Sequence, residues 1–250
     1  MQVIGVLHLE PLPASPLYRS FDEVFELAIR DAKALAEGGV DAIIIENYGD
    51  KPFLKEVGKE TVACMTVIAW EVKKETGLPI GINVLRNDAI SALAIAKAVD
   101  ADFIRVNQLF YSSLSPEGFL EGKAGEILRY KRFIDCKAKI FADIQVKHAH
   151  HFVDLKEYVE NAERCLVDGL IVTGRATGVA VDLNDLMLVK KIAKVPVFVG
   201  SGVTAENLPK LAKFCDGVIV GTYFKENGRV DVERVRRLIN VRNELKNQNR

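Results

Sequence analysis

The chain has 250 residues, with 34 Lys+Arg against 34 Asp+Glu for a formal net charge of zero, and 49% of its residues are hydrophobic. That length suits one large core and is close to the usual size of a (β/α)8 barrel. The charge balance argues against a nucleic-acid surface as the main partner, and no apolar run approaches the ~18 residues of a membrane span.

Residues 1–8 lack a basic n-region and a small-residue cleavage site, so no signal peptide is expected. Cys64, Cys136, Cys165 and Cys215 form no C-x-x-C pair and read as reduced residues of a cytoplasmic protein. Residues 2–7 are a short apolar run, the first strand, and His8 closes it. Pro11, Pro13 and Pro16 make the next segment a stiff loop. Ser20-Phe21-Asp22-Glu23 has the form of a capping box. The helix it opens repeats Phe21, Val24, Phe25, Ala28, Ile29, Ala32 and Leu35 at helical spacing, and Gly38-Gly39 ends it. Further strands are expected over residues 41–46, 79–84, 102–107, 139–144 and 168–173. Helices are expected over about residues 56–76, 89–99, 123–135, 154–166 and 182–193. A loop over residues 108–122 carries exposed-looking Phe110, Tyr111 and Phe119. Strand seven opens with Val195-Pro196-Val197 and runs into Gly200-Ser201-Gly202, with a helix expected from Thr204-Ala205-Glu206. Strand eight ends in Gly221-Thr222. A last helix carries Val232, Val235, Leu238, Ile239 and Leu245, and the polar tail over residues 246–250 is expected to fray.

These elements make eight strand-helix pairs. The strands are β-branched and apolar on both faces, as buried parallel strands are. Strands two, four, six and eight open with Val-Asp-Ala-Ile, Ala-Asp-Phe-Ile, Val-Asp-Gly-Leu and Cys-Asp-Gly-Val. This two-strand period fits a barrel whose interior layers come from alternate strands. The expected fold is therefore a single-domain α/β (β/α)8 TIM barrel over residues 1–250, with an open doubly wound sheet as the alternative. The Asp residues at the strand starts read as turn formers.

Most strands acquire a polar residue at their C-terminal end, where barrel enzymes place their chemistry. These are His8, Glu46, Asn83, Arg105 with Asn107, Asp143, and Thr173 followed by Gly174. Asp143, Gln145 and Lys147 share one face if that strand stays extended. Asp143 or Glu46 suits a general base tuned by Arg105 and Lys147. Lys147 suits an oxyanion or, if desolvated, a Schiff base, and Arg105 suits a carboxylate or phosphate. A purely structural salt-bridge ring is the alternative. In Lys147-His148-Ala149-His150-His151, His148 is the functional candidate. No H-E-x-x-H motif supports zinc there, no cofactor is predicted, and a divalent cation such as magnesium stays open. The turns Gly200-Ser201-Gly202 and Gly221-Thr222 follow strands seven and eight, where barrels often hold phosphate on backbone N–H groups.

Several blocks together resemble the BtpA family: Ile4–Pro13 (IGVLHLEPLP), Glu46-Asn47-Tyr48-Gly49-Asp50 and Asn83-Val84-Leu85-Arg86-Asn87-Asp88. So do Phe103-Ile104-Arg105-Val106-Asn107, Ala142–Ala149 (ADIQVKHA), Thr173–Gly178 (TGRATG) and Gly200-Ser201-Gly202-Val203. The likeness runs from residue 2 to about 238, with Gln145 and Glu10 as mild departures. It implies a TIM barrel of the phosphate-binding, ribulose-phosphate-barrel type, without a settled reaction. Two functions follow. One is an enzyme acting on a small phosphorylated metabolite, a sugar phosphate or nucleotide-like compound, with lyase, isomerase and transferase chemistry all open. The other is a non-catalytic assembly or stability factor, implied by the photosystem I biogenesis protein that gives the family its name. The aromatic and proline loops are surfaces suited to a homo-oligomer or a lid.

Overall fold

A computed structural model describes residues 1–174 and 178–248. In chain order the elements are β1 (Gln2–His8), α1 (Phe21–Gly38), β2 (Ala42–Glu46), α2 (Lys59–Thr76), β3 (Ile80–Asn83), α3 (Ala89–Val99) and β4 (Phe103–Val106). There follow β5 (Ser112–Ser115), β6 (Gly118–Glu121), α4 (Ala124–Phe133), β7 (Lys139–Ile144), β8 (His150–His151), α5 (Leu155–Glu160) and β9 (Gly169–Val172). The chain finishes with α6 (Leu183–Ile192), β10 (Val197–Val199), α7 (Leu208–Leu211), β11 (Gly217–Val220), the hairpin β12 (Lys225–Glu226) and β13 (Arg229–Val230), and α8 (Val232–Gln248).

Eight parallel strands close in the order β1-β2-β3-β4-β7-β9-β10-β11. This is the TIM barrel; the open sheet is excluded, because β11 pairs back onto β1 from Gln2↔Gly217 to Gly5↔Val220. Inward-facing side chains alternate along each strand. The inner core is Ile4, Val6, Ala42, Ile44, Phe103, Phe141, Ile171, Phe198 and Ile219. Three phenylalanines dominate it: Phe103 stacks on Phe141 at 5.1 Å between centroids, and Phe141 on Phe198 at 4.9 Å. Each ring lies over a glycine that faces it in register on the next strand, in the pairs Gly81↔Phe103, Phe141↔Gly169 and Phe198↔Gly217. A Cβ on Gly81 would come within 2.1 Å of the Phe103 ring, so these glycines make the room that the aromatics fill.

The Asp residues at the strand starts do more than form turns. Each makes a reciprocal backbone clip to the preceding barrel strand. Asp41 Oδ2 accepts from the Val3 N–H at 2.7 Å while its own N–H donates to Val3 O at 2.8 Å. The same pair of bonds joins Asp102 to Ile80, Asp168 to Ile140 and Asp216 to Val197. The barrel is thus stitched in four two-strand units at the end opposite the polar strand ends.

Some expectations need correction. The segment over residues 108–122 is not a plain loop. β5 and β6 pair as an antiparallel hairpin, to which β8 adds through Ser113↔His151. Phe110 is buried, stacking on Tyr158 at 4.5 Å, while Phe119 is exposed. The helix expected over 154–166 breaks into α5 and a short 3-10 turn, Ala162–Cys165. No helix begins at Thr204: an Asn207 turn, with Asn207 Nδ2 donating to Gly202 O at 2.7 Å, delays α7 to Leu208, and α7 has 4 residues. The C-terminal helix α8 is described through Gln248. Among the described residues, no helix is long and apolar enough to cross a membrane.

Candidate active site at the C-terminal ends of the barrel strands

The inward alternation that builds the core also delivers the polar groups. His8 lies two residues beyond Val6, Glu46 beyond Ile44, Asn83 beyond Gly81, Arg105 beyond Phe103 and Asp143 beyond Phe141. They form the next layer up, at the carboxyl ends of β1, β2, β3, β4 and β7. His8↔Glu46 and Glu46↔Asn83 are in register on neighbouring strands.

Arg105 is the centre of the ring. Its Nε donates to Asp143 Oδ1 and its Nη2 to Asp143 Oδ2, both at 3.0 Å, and its Nη1 donates to Glu46 Oε1 at 3.0 Å. Burial works against this charge, but Asp143 and Glu46 outweigh it and hold the Arg105 pKa above the ordinary arginine value. Asn107 Nδ2 adds a bond to Asp143 Oδ2 at 2.8 Å, and Asn83 Nδ2 bonds Asn107 Oδ1 and Arg105 O, both at 3.0 Å. Both Asp143 oxygens are therefore engaged, and the residue is fully buried beneath Arg105. It anchors Arg105 and is not open to a ligand. Glu46 differs, since its Oε2 faces His8 Nε2 at 3.6 Å. His8 titrates well below the usual histidine range, chiefly through burial and also through Lys225, Lys147 and Arg105.

Two neighbouring lobes open above this ring. The smaller, about 160 Å³, is walled by Gly200, Ser201, Gly202, Gly221 and Thr222; the wider, about 420 Å³, by Asn83, Asn107, Tyr48, Arg86, Glu117 and His148. His8, Glu46, Arg105 and Lys147 line both. The turns of the smaller lobe are tight. Gly202 has φ +63, and a Cβ there would meet Ala180 N at 2.3 Å; a Cβ on Gly221 would meet His8 Cε1 at 2.9 Å. Ser201 is a tie between loops: its hydroxyl accepts from the Gly174 N–H at 2.5 Å and donates to Val179 O at 3.0 Å. Thr173 and Gly174 line neither lobe. Thr173 packs its methyl beside Gly200, and its Oγ1 is buried without a hydrogen-bond partner among the described residues. Arg175, Ala176 and Thr177 of the TGRATG block lie outside the described residues.

Lys147 reaches the site by an unexpected route. β7 ends at Ile144, and Gln145 takes φ +50, so Gln145 does not share the face of Asp143; its Nε2 instead bonds Val153 O at 2.9 Å. His148 also has a positive φ, +59. These two left-handed residues, uncommon outside glycine, fold the chain back so that Lys147 hangs over the barrel mouth. Two bonds pin the turn: His151 Nε2 with Val146 O at 2.9 Å, and Arg86 Nη2 to Lys147 O at 2.8 Å. Burial, then Arg105, lowers the Lys147 pKa from the ordinary lysine value. His148 is exposed at the rim, its pKa lowered by what burial it has and by Lys147. Among the described residues, no group of three or more His, Cys, Asp or Glu side chains is placed to hold a metal ion. Glu46 and Asp143, the carboxylates nearest that task, are both turned to Arg105.

Asn47 and Arg86 stand among the polar residues beyond strand ends in the sequence but had been given no role, and Glu117 had not been singled out. Asn47, fully buried, grips Leu85 through Oδ1 from its N–H at 2.7 Å and through Nδ2 to its O at 3.1 Å, and so sets the wall from which Arg86 projects. Arg86 Nε pairs with Glu117 Oε2 at 3.3 Å, tying the β5–β6 tip to the mouth. Asn47 and Arg86 both sit directly beyond strand ends, a signal that was legible; Glu117, in a hairpin turn, gave none.

Fold and site together define a (β/α)8-barrel protein with a buried ionic ring and a two-lobed cleft at the carboxyl ends of its strands. The chain belongs to the BtpA family, whose family model matches residues 1–244. It is 63% identical over 237 residues to an uncharacterized protein of Archaeoglobus fulgidus, covering 95% of this chain and 96% of that one. It is 45% identical over 235 residues to the photosystem I biogenesis protein BtpA of Synechocystis, covering 92% of this chain and 82% of that one. Among solved structures it is similar in fold to (S)-3-O-geranylgeranylglyceryl phosphate synthase from Thermoplasma acidophilum in complex with sn-glycerol-1-phosphate, with TM-score 0.63, 18% identity, and coverage of 96% of this chain and 92% of that one. Thiamine phosphate pyrophosphorylase from Pyrococcus furiosus aligns with TM-score 0.63 and 17% identity over 98% of this chain and 96% of that one.

Proposed function

We propose that the chain is an enzyme acting on a small phosphorylated metabolite. One observation carries this reading: the small lobe between the loops after β10 and β11 and the wider lobe share four lining residues, His8, Glu46, Arg105 and Lys147, and all four are ionisable. At about 160 Å³ the small lobe is the tighter of the two and has room for a phosphate group. Its anion-binding groups are the backbone N–H groups of Ser201, Gly202, Gly221 and Thr222, helped by Lys147, and not a helix N-terminus, since α7 starts too late; the Gly200 N–H donates to Val172 O at 2.8 Å. The wider lobe takes the reacting part. Asp143 and Asn107 orient Arg105, and Glu46 and Lys147 carry protons. Asn83 presents an Oδ1 that lacks a hydrogen-bond partner among the described residues, and His148 lies at the entrance. The reaction type, whether lyase, isomerase or transfer, is set by the substrate.

A thermal-shift series with inorganic phosphate, sugar phosphates and nucleotides tests this. At least one phosphorylated compound is expected to raise the melting temperature, by about 2.7 kcal/mol of stabilisation at a hundredfold excess over Kd. Absence of any shift, phosphate included, counts against the reading. A second reading, a non-catalytic assembly factor, draws on the name of the Synechocystis relative and on the exposed Leu114, Phe119 and Phe152 side chains of the β5–β6–β8 region. It predicts that Phe119→Ser, and not a change at Lys147, removes the cellular role.

A further inference from the structure

We propose that Lys147 forms a Schiff base with its substrate, so that the substrate is a phosphorylated aldehyde or ketone. The inference rests on the phosphorylated-substrate reading and narrows it to a carbonyl compound.

Two buried carboxylates lie in the ring, yet both are committed to Arg105, which spends three N–H groups on them. Among the described residues, the Lys147 ammonium makes no ion pair and no hydrogen bond, although its backbone is held by Arg86 and by the turn between two left-handed residues. A lysine kept for charge balance or for structure pairs with a carboxylate; this one is held beside two carboxylates and denied both. Its side chain borders the small lobe and the wide one. A phosphate held in the former therefore presents its attached carbon chain to Nζ. Burial and the Arg105 charge favour the neutral amine, the form that attacks a carbonyl.

The proton carrier is Glu46, which lines the same two lobes and keeps Oε2 free of Arg105. The Lys147 ammonium gives one proton to Glu46, and the Nζ lone pair attacks the carbonyl carbon while the C=O π pair moves to oxygen. That oxygen takes the proton from Glu46. Glu46 then removes a second proton from nitrogen and returns it to the hydroxyl, which leaves as water. The products are a protonated imine, retaining the third ammonium proton, and one water. The iminium draws electrons from the adjacent carbon, which serves an isomerisation or a carbon–carbon cleavage equally.

Borohydride trapping of the full-length protein tests the proposal, with glyceraldehyde 3-phosphate and dihydroxyacetone phosphate as probes and unphosphorylated glyceraldehyde as control. Peptide mass spectrometry is expected to place the reduced adduct on Lys147, formed on the order of tenfold faster than on any other lysine. Inorganic phosphate should slow that labelling, and glyceraldehyde should lose the preference. Lys147→Arg keeps the charge but gives no adduct in this peptide. Labelling of Lys147 no faster than of surface lysines overturns the proposal. If phosphate still stabilises the protein in that case, the imine falls while the phosphorylated-substrate reading stands; if no phosphorylated compound stabilises it, both fall.

Discussion

Arg105 decides the character of the site, because it is the buried cation hydrogen-bonded to both carboxylates of the ring. Replacing it by methionine leaves Glu46 and Asp143 uncompensated, and loss of one member of a buried ionic cluster typically costs about 3–5 kcal/mol. Urea unfolding of Arg105→Met should show a loss of that size. Arg105→Lys should recover only part of it, since an ammonium cannot make the bidentate fork to Asp143 and reach Glu46 as well. His8 gives the site a pH signature. Its folded pKa lies well below 6.5, from burial first and from Lys225, Lys147 and Arg105 after it, so between that value and 6.5 the unfolded chain binds the extra proton. Stability then falls as pH drops below 6.5, by up to about 1.4 kcal/mol per pH unit from this one group. His8→Asn should flatten the stability–pH curve in that window relative to the unsubstituted protein and leave it unchanged at pH 8; parallel curves for the two proteins would show that His8 does not supply the effect.

Among the elements, the reciprocal Asp clips and the β7 turn divide the work between the two ends of the barrel. Asp168 accepts from the Ile140 N–H at 2.8 Å at the end remote from the cleft. Asp168→Ala removes a charge-assisted bond to backbone, worth about 1.5–3 kcal/mol. It should lower the melting temperature while the shift caused by a bound phosphorylated compound keeps its size. A change in that shift would mean that the clips act on the site as well. The Gln145–His148 turn has the opposite role: it adds little to the core, and its two left-handed residues are tolerated because they bring Lys147 over the cleft. The phosphate lobe is likewise a property of elements. Ser201 ties the β10 loop to the loop after β9, so the lobe's shape depends on two loops and not on the G-S-G tripeptide alone.

For the molecule as a whole, the stacked phenylalanines and their facing glycines form a floor shared by most strands, on which the ionic ring rests. Gly81→Ala drives a methyl into the Phe103 ring, an overpacking cost of about 1–3 kcal/mol. Phe103→Leu alone opens a void. Combined, the two changes should be less damaging than the sum of the singles, by a coupling on the order of 1 kcal/mol. A strictly additive pair, read from denaturant midpoints, would mean that the ring and the glycine do not share space.

Local chemistry was enough for much of this. Eight apolar β-branched runs, each needing cover on both faces, fixed the barrel. The S-x-x-E cap placed α1, with Ser20 accepting from the Glu23 N–H at 3.4 Å, and alternation placed His8, Glu46, Asn83, Arg105 and Asp143 in one layer. The rest depended on contacts between residues distant in the chain. That Asp143 is an anchor and Glu46 the accessible carboxylate follows from how Arg105 divides its N–H groups across a gap of 38 residues to the one and 59 to the other. That Gln145 turns away and Lys147 turns in follows from positive φ angles held by long-range bonds from His151 of β8 and from Arg86. The sequence by itself determined that the polar strand ends His8, Glu46, Asn83, Arg105 and Asp143 gather at one mouth of the barrel, because strand periodicity is a local property. Tertiary structure alone decided which of them are spent on one another and which stay open to a ligand, because hydrogen-bond partners are assigned by the folded geometry and not by position along the chain.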